Sequence, residues 1–207
     1  MKKSSGAFQD ALRFFGRFIS KPQSVGSIWP SSQQLGEEML RGVALKAGDV
    51  VIEYGPGTGP FTKLLQPYLA RGVDYLGIER DDHLYKGLQQ RFPEMRFHHG
   101  CAEEAPELLR HYHLNSARLI ISGLPFANMA WPLQERILEA TQQALRPDGY
   151  FRAFTYLFSS ISPHANQFRR MAHERFLYDH GSKKVMLNFP PARVLSYSHP
   201  IVKNKKR

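Results

Sequence analysis

Val50-Val51-Ile52-Glu53-Tyr54-Gly55-Pro56-Gly57-Thr58-Gly59-Pro60-Phe61-Thr62 decides how this chain is read. An apolar run of strand type ends in an acid, and glycine then recurs at every second position. Glycine takes φ > 0 without strain and lets another group approach the backbone closely. Pro60 suits the first position of a helix, where its missing N–H would have had no partner. The stretch is therefore expected to run strand, glycine turn, helix. Amides at such a helix start suit an anion or a carboxylate. This arrangement opens α/β folds that bind nucleotide-type ligands at the ends of parallel strands.

Two common glycine signatures do not fit. The dinucleotide fingerprint wants Gly or Ala where Pro60 stands, and the phosphate loop of nucleoside triphosphatases needs a closing Gly-Lys-Ser/Thr that is absent. A plain glycine-rich turn is the bland alternative. With Glu53 ahead of the glycines, the stretch resembles the first motif of the class I S-adenosylmethionine (SAM) methyltransferases. That resemblance implies SAM as cofactor, held by Glu53, Gly55, Gly57, Thr58 and Gly59.

After this turn the chain alternates strand and helix patterns, which predicts a parallel sheet covered on both faces. Strands are expected at 50–54, 75–79, 95–99, 117–122, 150–158, 184–189 and 194–198. Helices are expected at 61–70, 82–91, 103–112, 132–145 and 163–174. Pro190-Pro191 between the last two strands points to a terminal hairpin. Ahead of the glycine turn, Pro22 to Ser32 read as a loop with two prolines and one glycine. Ser31 or Ser32 is expected to cap a helix over about 33–42. That loop and helix are candidates to cover the cofactor, and Trp29 is either part of that cover or simple core.

Glu79 ends the second strand, about 20–25 residues past the glycine turn, where an acid accepts the ribose hydroxyls of a bound nucleoside. Glu79 and Arg80 are assigned to that end of the site. The alternative is a surface acid paired with Arg80. Asp81 and Asp82 are expected to cap the next helix. The corner after the third strand, His99-Gly100-Cys101-Ala102-Glu103, meets the adenine ring in this fold, so Cys101 and Ala102 are assigned there. No partnered histidine marks Cys101 as a nucleophile. Ser122-Gly123-Leu124-Pro125-Phe126 follows the fourth strand. It resembles the Asn/Asp-x-Pro-aromatic loop of amino-group methyltransferases, with Gly123 where the Asn or Asp stands. The resemblance implies that main-chain groups of Ser122, Gly123 and Leu124 orient the substrate nitrogen, with Pro125 shaping the loop. The face of Phe126 would then meet the ammonium that forms.

The chain has 207 residues and one cysteine, so an internal disulfide is excluded. The histidines show no structural metal spacing, and no metal is expected. No run is long enough to span a bilayer, and no signal-peptide pattern opens the chain. A soluble cytoplasmic protein is the simplest expectation. Net charge is +10, which favours an anionic partner, either nucleic acid or an anionic membrane surface. Residues 7–21 read as a helix. Phe8, Ala11, Leu12, Phe15, Phe18 and Ile19 fall within an arc of roughly 120°, with Arg13 and Arg17 on the other side. Such a helix suits a membrane interface. An ordinary helix packed on the core has the same pattern.

Taken together, the chain resembles the bacterial soluble phospholipid N-methyltransferases, which convert phosphatidylethanolamine stepwise to phosphatidylcholine. The matching residues are the Phe-rich leader, Gly26-Ser27-Ile28-Trp29-Pro30-Ser31-Ser32, the Glu53 to Gly59 turn, the Ser122 to Phe126 loop, and Asn188-Phe189-Pro190-Pro191-Ala192. Cys101 and Tyr54 depart from that family's pattern. The related rRNA adenine dimethyltransferases normally carry Asn at the Gly123 position and a further C-terminal helical domain, and this chain is expected to end before one. The resemblance implies an α/β, Rossmann-like class I methyltransferase. Its sheet would be seven-stranded and mostly parallel, with a terminal antiparallel hairpin and an N-terminal amphipathic helix. Residues 1–43 would form the amphipathic helix and cofactor-covering segment, and 44–207 the SAM-binding domain. The enzyme would be peripheral on the inner face of the membrane. There Phe8, Leu12, Arg13, Phe15, Arg17, Phe18 and Ile19 would contact anionic lipid, and nucleic acid is not expected as partner. An RNA adenine methyltransferase and a non-catalytic SAM-fold module that binds membranes are the alternatives.

Overall fold

The computed structural model describes residues 30–156, 162–179, 184–185 and 191–200. The leader helix with Phe8, Leu12, Arg13, Phe15, Arg17, Phe18 and Ile19 lies outside the described residues. So do Trp29, most of the strand expected at 184–189, and the motif residues Asn188, Phe189 and Pro190.

Helix α1 (Pro30–Leu40) precedes strand β1 (Val50–Tyr54), and α2 (Pro60–Leu69) follows the glycine turn. Then come β2 (Asp74–Glu79), α3 (Asp82–Arg91) and β3 (Phe97–His99). A 3-10 turn (Ala102–Glu104) leads into α4 (Ala105–His111) and β4 (Ala117–Ser122). A second 3-10 turn (Phe126–Asn128) leads into α5 (Trp131–Ala144) and β5 (Leu145–Tyr156). The described chain closes with α6 (Pro163–His173), β6 (Phe176–Asp179), β7 (Lys184–Val185) and β8 (Ala192–Pro200). Seven strands run in the order β3-β2-β1-β4-β5-β8-β6, and the short β7 pairs with β8 beside them. The pairs from β3 to β5 are parallel. Those made by β8 are antiparallel. The expected α/β class, mostly parallel sheet and terminal hairpin are therefore present.

Alternation along β1 divides the core between the two faces of the sheet. Val50, Ile52 and Tyr54 face α4, α5 and α6, packing with Leu108, Ile137, Leu138 and Phe168. Val51 faces the other side, where Leu35, Met39, Phe61, Leu65, Leu88 and Phe92 come from α1, α2 and α3. Tyr54 is fully buried, and its hydroxyl meets Thr141 Oγ1 at 3.3 Å. That partner accounts for a large polar-tipped residue at this strand position. Chain order reverses between β1 and β4. Both crevice-lining loops, the glycine turn and the Ser122–Phe126 loop, leave the sheet at this switch point, where α/β folds bind ligands.

Several expectations need correction. Ser31 and Ser32 lie inside α1 and do not cap it, because Pro30 already takes the first helical position. β5 begins at Leu145 rather than 150. Its register against β4 shifts between Ala117 and Leu119, so the turn-like Arg146-Pro147-Asp148-Gly149 is carried within the strand. β6 is absent from the expected strands. It is four residues long and at the sheet edge, with Phe176 buried and Leu177 53% exposed, too short a run for alternation to show. Asp81 does cap α3, accepting from the Leu84 N–H at 2.9 Å, whereas Asp82 sits in the first turn.

Candidate functional site

The three glycines of the turn all adopt left-handed backbone, with φ of 63° at Gly55, 61° at Gly57 and 82° at Gly59. A Cβ on Gly59 would also lie 2.5 Å from the Phe92 ring, so the third glycine lets α2 start against α3. Arg91, at the end of α3, donates to the Thr58 carbonyl and holds the turn from that side. Nothing in the local sequence points to this contact, because the two residues are 33 apart.

Glu79 is 7% exposed at the end of β2. One carboxylate oxygen accepts from the Gly57 N–H at 2.9 Å, and the other from the Asp81 N–H at 3.0 Å. The acid thus fixes the second glycine of the turn. Each oxygen keeps lone-pair capacity for a ribose hydroxyl. Glu79→Ala removes those acceptors and leaves the Gly57 N–H without its partner. S-adenosylhomocysteine (SAH) affinity is then expected to fall by about 1–3 kcal/mol in calorimetry. Unchanged affinity would separate Glu79 from the ligand site.

Glu53 lies fully buried beneath the turn. Its Oε2 accepts from Thr62 Oγ1 at 2.8 Å and from the Tyr75 hydroxyl at 2.6 Å. Its Oε1 is buried with no hydrogen-bond partner among the described residues. Burial, opposed by the bonds from Tyr75 and Thr62, raises its pKa from 4.5 to about 7. The folded protein thus holds this proton more tightly than the unfolded chain. The stability contributed by this group is full below pH 4.5 and is lost as pH rises through about 7, an amount on the order of 3 kcal/mol. Glu53→Gln is expected to flatten that fall in thermal melts of the ligand-free protein across the same window. A slope unchanged by the substitution would reject the assignment.

At the end of β3, Cys101 is half-buried, and burial pushes its thiol pKa up. It is therefore a neutral thiol at pH 7 and not an activated nucleophile. Its N–H donates to Glu104 Oε1 at 2.6 Å. A cavity of about 400 Å³ opens here, lined by Arg80, His99, Cys101, Leu133 and Arg136 among others. Arg80, assigned with Glu79 to the other end of the site, shares this cavity with Cys101. The structure adds His99, and Leu133 and Arg136 from α5, which lies too far along the chain for spacing to reveal. Ala102 is buried beside Cys101 as the first residue of the 3-10 turn.

The Ser122–Phe126 loop meets the glycine turn backbone to backbone. Gly123 N–H donates to the Tyr54 carbonyl at 2.8 Å, and a Cβ on Gly123 would lie 2.8 Å from the Gly55 carbonyl oxygen. Ser122 is 1% exposed, and its hydroxyl accepts from the Leu124 N–H at 3.3 Å. Pro125 is exposed and Leu124 half-buried. The Phe126 ring stacks on Phe168 of α6, with centroids 4.0 Å apart and an angle of 16°. One aromatic face is therefore covered, and the residue is only 5% exposed. Sequence reasoning missed Phe168 because it belongs to a different helix.

These features fit a SAM-type ligand. The turn is one that no side chain enters without strain, Glu79 stands at the strand end beside it, and the buried Oε1 of Glu53 has no hydrogen-bond partner among the described residues. Among the described residues no group of three or more His, Cys, Asp or Glu could hold a metal ion. No helix there is long and apolar enough to cross a membrane.

No family model matches the chain. Over 150 residues it is 27% identical to an ornithine lipid N-methyltransferase of Singulisphaera acidiphila, covering 71% of this chain and 78% of that protein. It is 30% identical over 129 residues to a ribosomal RNA small subunit methyltransferase A of a Synechococcus species. That match covers 59% of this chain and 44% of the relative, so the chain spans less than half of it. Among solved structures it is similar to a TehB-like SAM-dependent methyltransferase of Corynebacterium glutamicum, with a TM-score of 0.63 and 18% identity. There 92% of this chain and 98% of the other are covered. The strand order, the left-handed glycine turn at the switch point and these likenesses place the chain in the class I SAM-dependent methyltransferase superfamily.

Proposed function

We propose that the protein transfers methyl groups from SAM to the head-group amine of phosphatidylethanolamine and its methylated intermediates, toward phosphatidylcholine, at a membrane surface. The observation that carries this reading is the contact between Gly123 and the Gly55 carbonyl, which leaves no room for a side chain at the position. An exocyclic adenine nitrogen shares its lone pair with the ring, so a side-chain acceptor that draws off its hydrogens helps it react. A neutral alkyl amine is already nucleophilic and needs only placement in a water-poor site.

Gly55, Gly57, Thr58 and Gly59 would lie along the donor, Glu79 would take the ribose, and the cavity lined by Arg80 and Cys101, with Ala102 buried beside it, would receive the adenine. The orphaned Oε1 of Glu53 suits a donor group of the ligand. When bound, SAM supplies a methyl group on a sulfonium, already a good leaving group. The chain's task is then alignment. Carbonyls of Ser122, Gly123 and Leu124 orient the amine, and the small uncovered part of the Phe126 ring stands by the forming ammonium. Pro125 and Leu124 form the outer lip. No strong base is required once the amine arrives neutral, a state that a dry pocket favours.

The leader residues Phe8, Leu12, Arg13, Phe15, Arg17, Phe18 and Ile19 would supply the membrane contact. Each buried Phe is worth about 1.5–3 kcal/mol, and each cation near anionic lipid about 1 kcal/mol. Deleting residues 1–21 is expected to remove binding to anionic vesicles in sedimentation while SAH affinity stays within about twofold. Full vesicle binding by the shortened chain would overturn the leader's role.

The ornithine lipid N-methyltransferase relative supports a second lipid amine as acceptor. The rRNA methyltransferase relatives keep RNA adenine as the contrasting reading. Incubation with methyl-labelled SAM and vesicles of phosphatidylethanolamine, vesicles of ornithine lipid, or structured RNA separates them. Label in phosphatidylethanolamine is expected. Label only in ornithine lipid would move the substrate, and label only in RNA would overturn the lipid reading.

A further inference from the structure

Gln134 is a polar residue in an apolar place. It lies in the first turns of α5 with no exposed surface, on the helix face that carries Ile137, Leu138 and Thr141 into the core. Burying an amide is costly unless its groups are bonded. Its Nε2 is surrounded by three main-chain carbonyls, those of Phe126 at 2.7 Å, Met129 at 3.0 Å and His164 at 3.3 Å. Turning the amide over would set an oxygen against three oxygens, so the orientation is settled by the surroundings. The Oε1 is left buried with no hydrogen-bond partner among the described residues. A Met or Leu of similar size would have avoided that cost. What such a residue could not do is gather the three carbonyls.

Two of those carbonyls belong to the substrate side of the crevice. The 3-10 turn closes on itself through Asn128 N–H to Pro125 O at 2.9 Å and Met129 N–H to Phe126 O at 3.2 Å. Those bonds shape the turn but do not attach it to the domain. Attachment comes from Gln134 on α5, from Ser162 Oγ to the Ala127 carbonyl at 3.3 Å, and from the Phe126–Phe168 stack. The third carbonyl, that of His164, lies in the first turn of α6, which also carries Phe168. One side chain thus ties the turn, α5 and α6 together, directly behind the residue assigned to the amine.

We propose that Gln134 is a positioning residue of the methyl-acceptor site: by clamping the carbonyls of Phe126, Met129 and His164 it sets the 124–129 loop, and with it the Phe126 ring, against the donor. This rests on the proposed amine methylation, and it assigns no contact between Gln134 and substrate. The donor half of the crevice is assigned to the glycine turn, Glu79 and the β3 corner, to none of which Gln134 hydrogen-bonds among the described residues.

The test pairs Gln134→Met with the wild type in the full chain. Hydrogen exchange read by mass spectrometry is expected to speed up by roughly tenfold or more in peptides covering 124–131, with peptides covering 50–62 and 75–82 unchanged. SAH affinity is expected to stay within about twofold. The kcat for methyl transfer to lipid amine should fall by roughly 10- to 100-fold, with little change in KM, as for a misplaced reacting group. Gln134→Glu, which replaces the donors with an acceptor, should fall at least as far. Exchange in 124–131 equal to the wild type would overturn the proposal. So would faster exchange everywhere with lost SAH binding, the mark of a merely structural residue. If the wild type binds SAH but methylates no lipid amine, the proposed reaction fails, and exchange alone decides whether Gln134 sets the loop.

Discussion

Gly123→Asn is expected to abolish measurable SAH binding and lower stability, rather than convert the protein toward adenine substrates. The Cβ would lie 2.8 Å from the Gly55 carbonyl oxygen and 3.6 Å from that of Tyr54. Both are backbone atoms at the root of the glycine turn, so neither can swing aside as a side chain would. Relief requires the ends of β1 and β4 to part, and that breaks the 2.8 Å bond from Gly123 N–H to Tyr54 O. Overpacking of this kind costs about 1–3 kcal/mol in stability. Its effect on the ligand is expected to be larger, because Gly55 opens the turn on which the donor is proposed to lie. We expect affinity to fall by roughly 100-fold or more, equivalent to about 3 kcal/mol. Gly123→Ala should show much of the same loss, because the Cβ alone makes the clash. Calorimetry with SAH beside thermal melts checks both. An Asn variant that binds SAH normally would mean that the loop has room for a side chain, and the case against adenine would be lost.

Between pH 6 and 8 the rate of methyl transfer at limiting lipid is expected to rise by roughly tenfold per pH unit. The acceptor must give up a proton before it can attack, and an alkyl ammonium ordinarily titrates near that of lysine, at about 10.4. At limiting lipid the profile follows the free amine, so the rise should continue toward that pH; partial burial in the site favours the neutral form and brings the plateau lower only at saturating lipid. An adenine amine is neutral throughout this range and would show no such slope. Glu53 ionises across the same interval, with its pKa near 7, and could mimic part of the effect through donor binding. The two are separable: Glu53→Gln removes the carboxylate but leaves the substrate's proton, so the slope should persist in that variant at saturating SAM. A flat pH–rate profile in the wild type, with label in lipid, would show that proton loss from the amine does not limit the reaction.

The glycine turn was legible because its chemistry is local. Left-handed backbone at Gly55, Gly57 and Gly59 is a property of those residues, and Pro60 fixes where the helix begins. Glu79 was found for a related reason. A strand ending in an acid at that distance from the turn is a one-dimensional signal, though its bond to the Gly57 N–H is not. Alternating strand and helix patterns were enough for the α/β class, whereas the short edge strand β6 was invisible because four residues carry no period.

Chain order was therefore enough for the strand–turn–helix at the switch point, the acid beside it, and the apolar alternation that puts helices on both faces of a mostly parallel sheet. Tertiary structure alone decided what that machinery touches. It set Gly123 against the Gly55 carbonyl, laid Phe168 over Phe126, placed Leu133 and Arg136 in the wall of the β3 corner, and gave Gln134 three carbonyls to hold. Each of these pairs residues from different elements, and only packing around the switch point between β1 and β4 brings them within reach of one another.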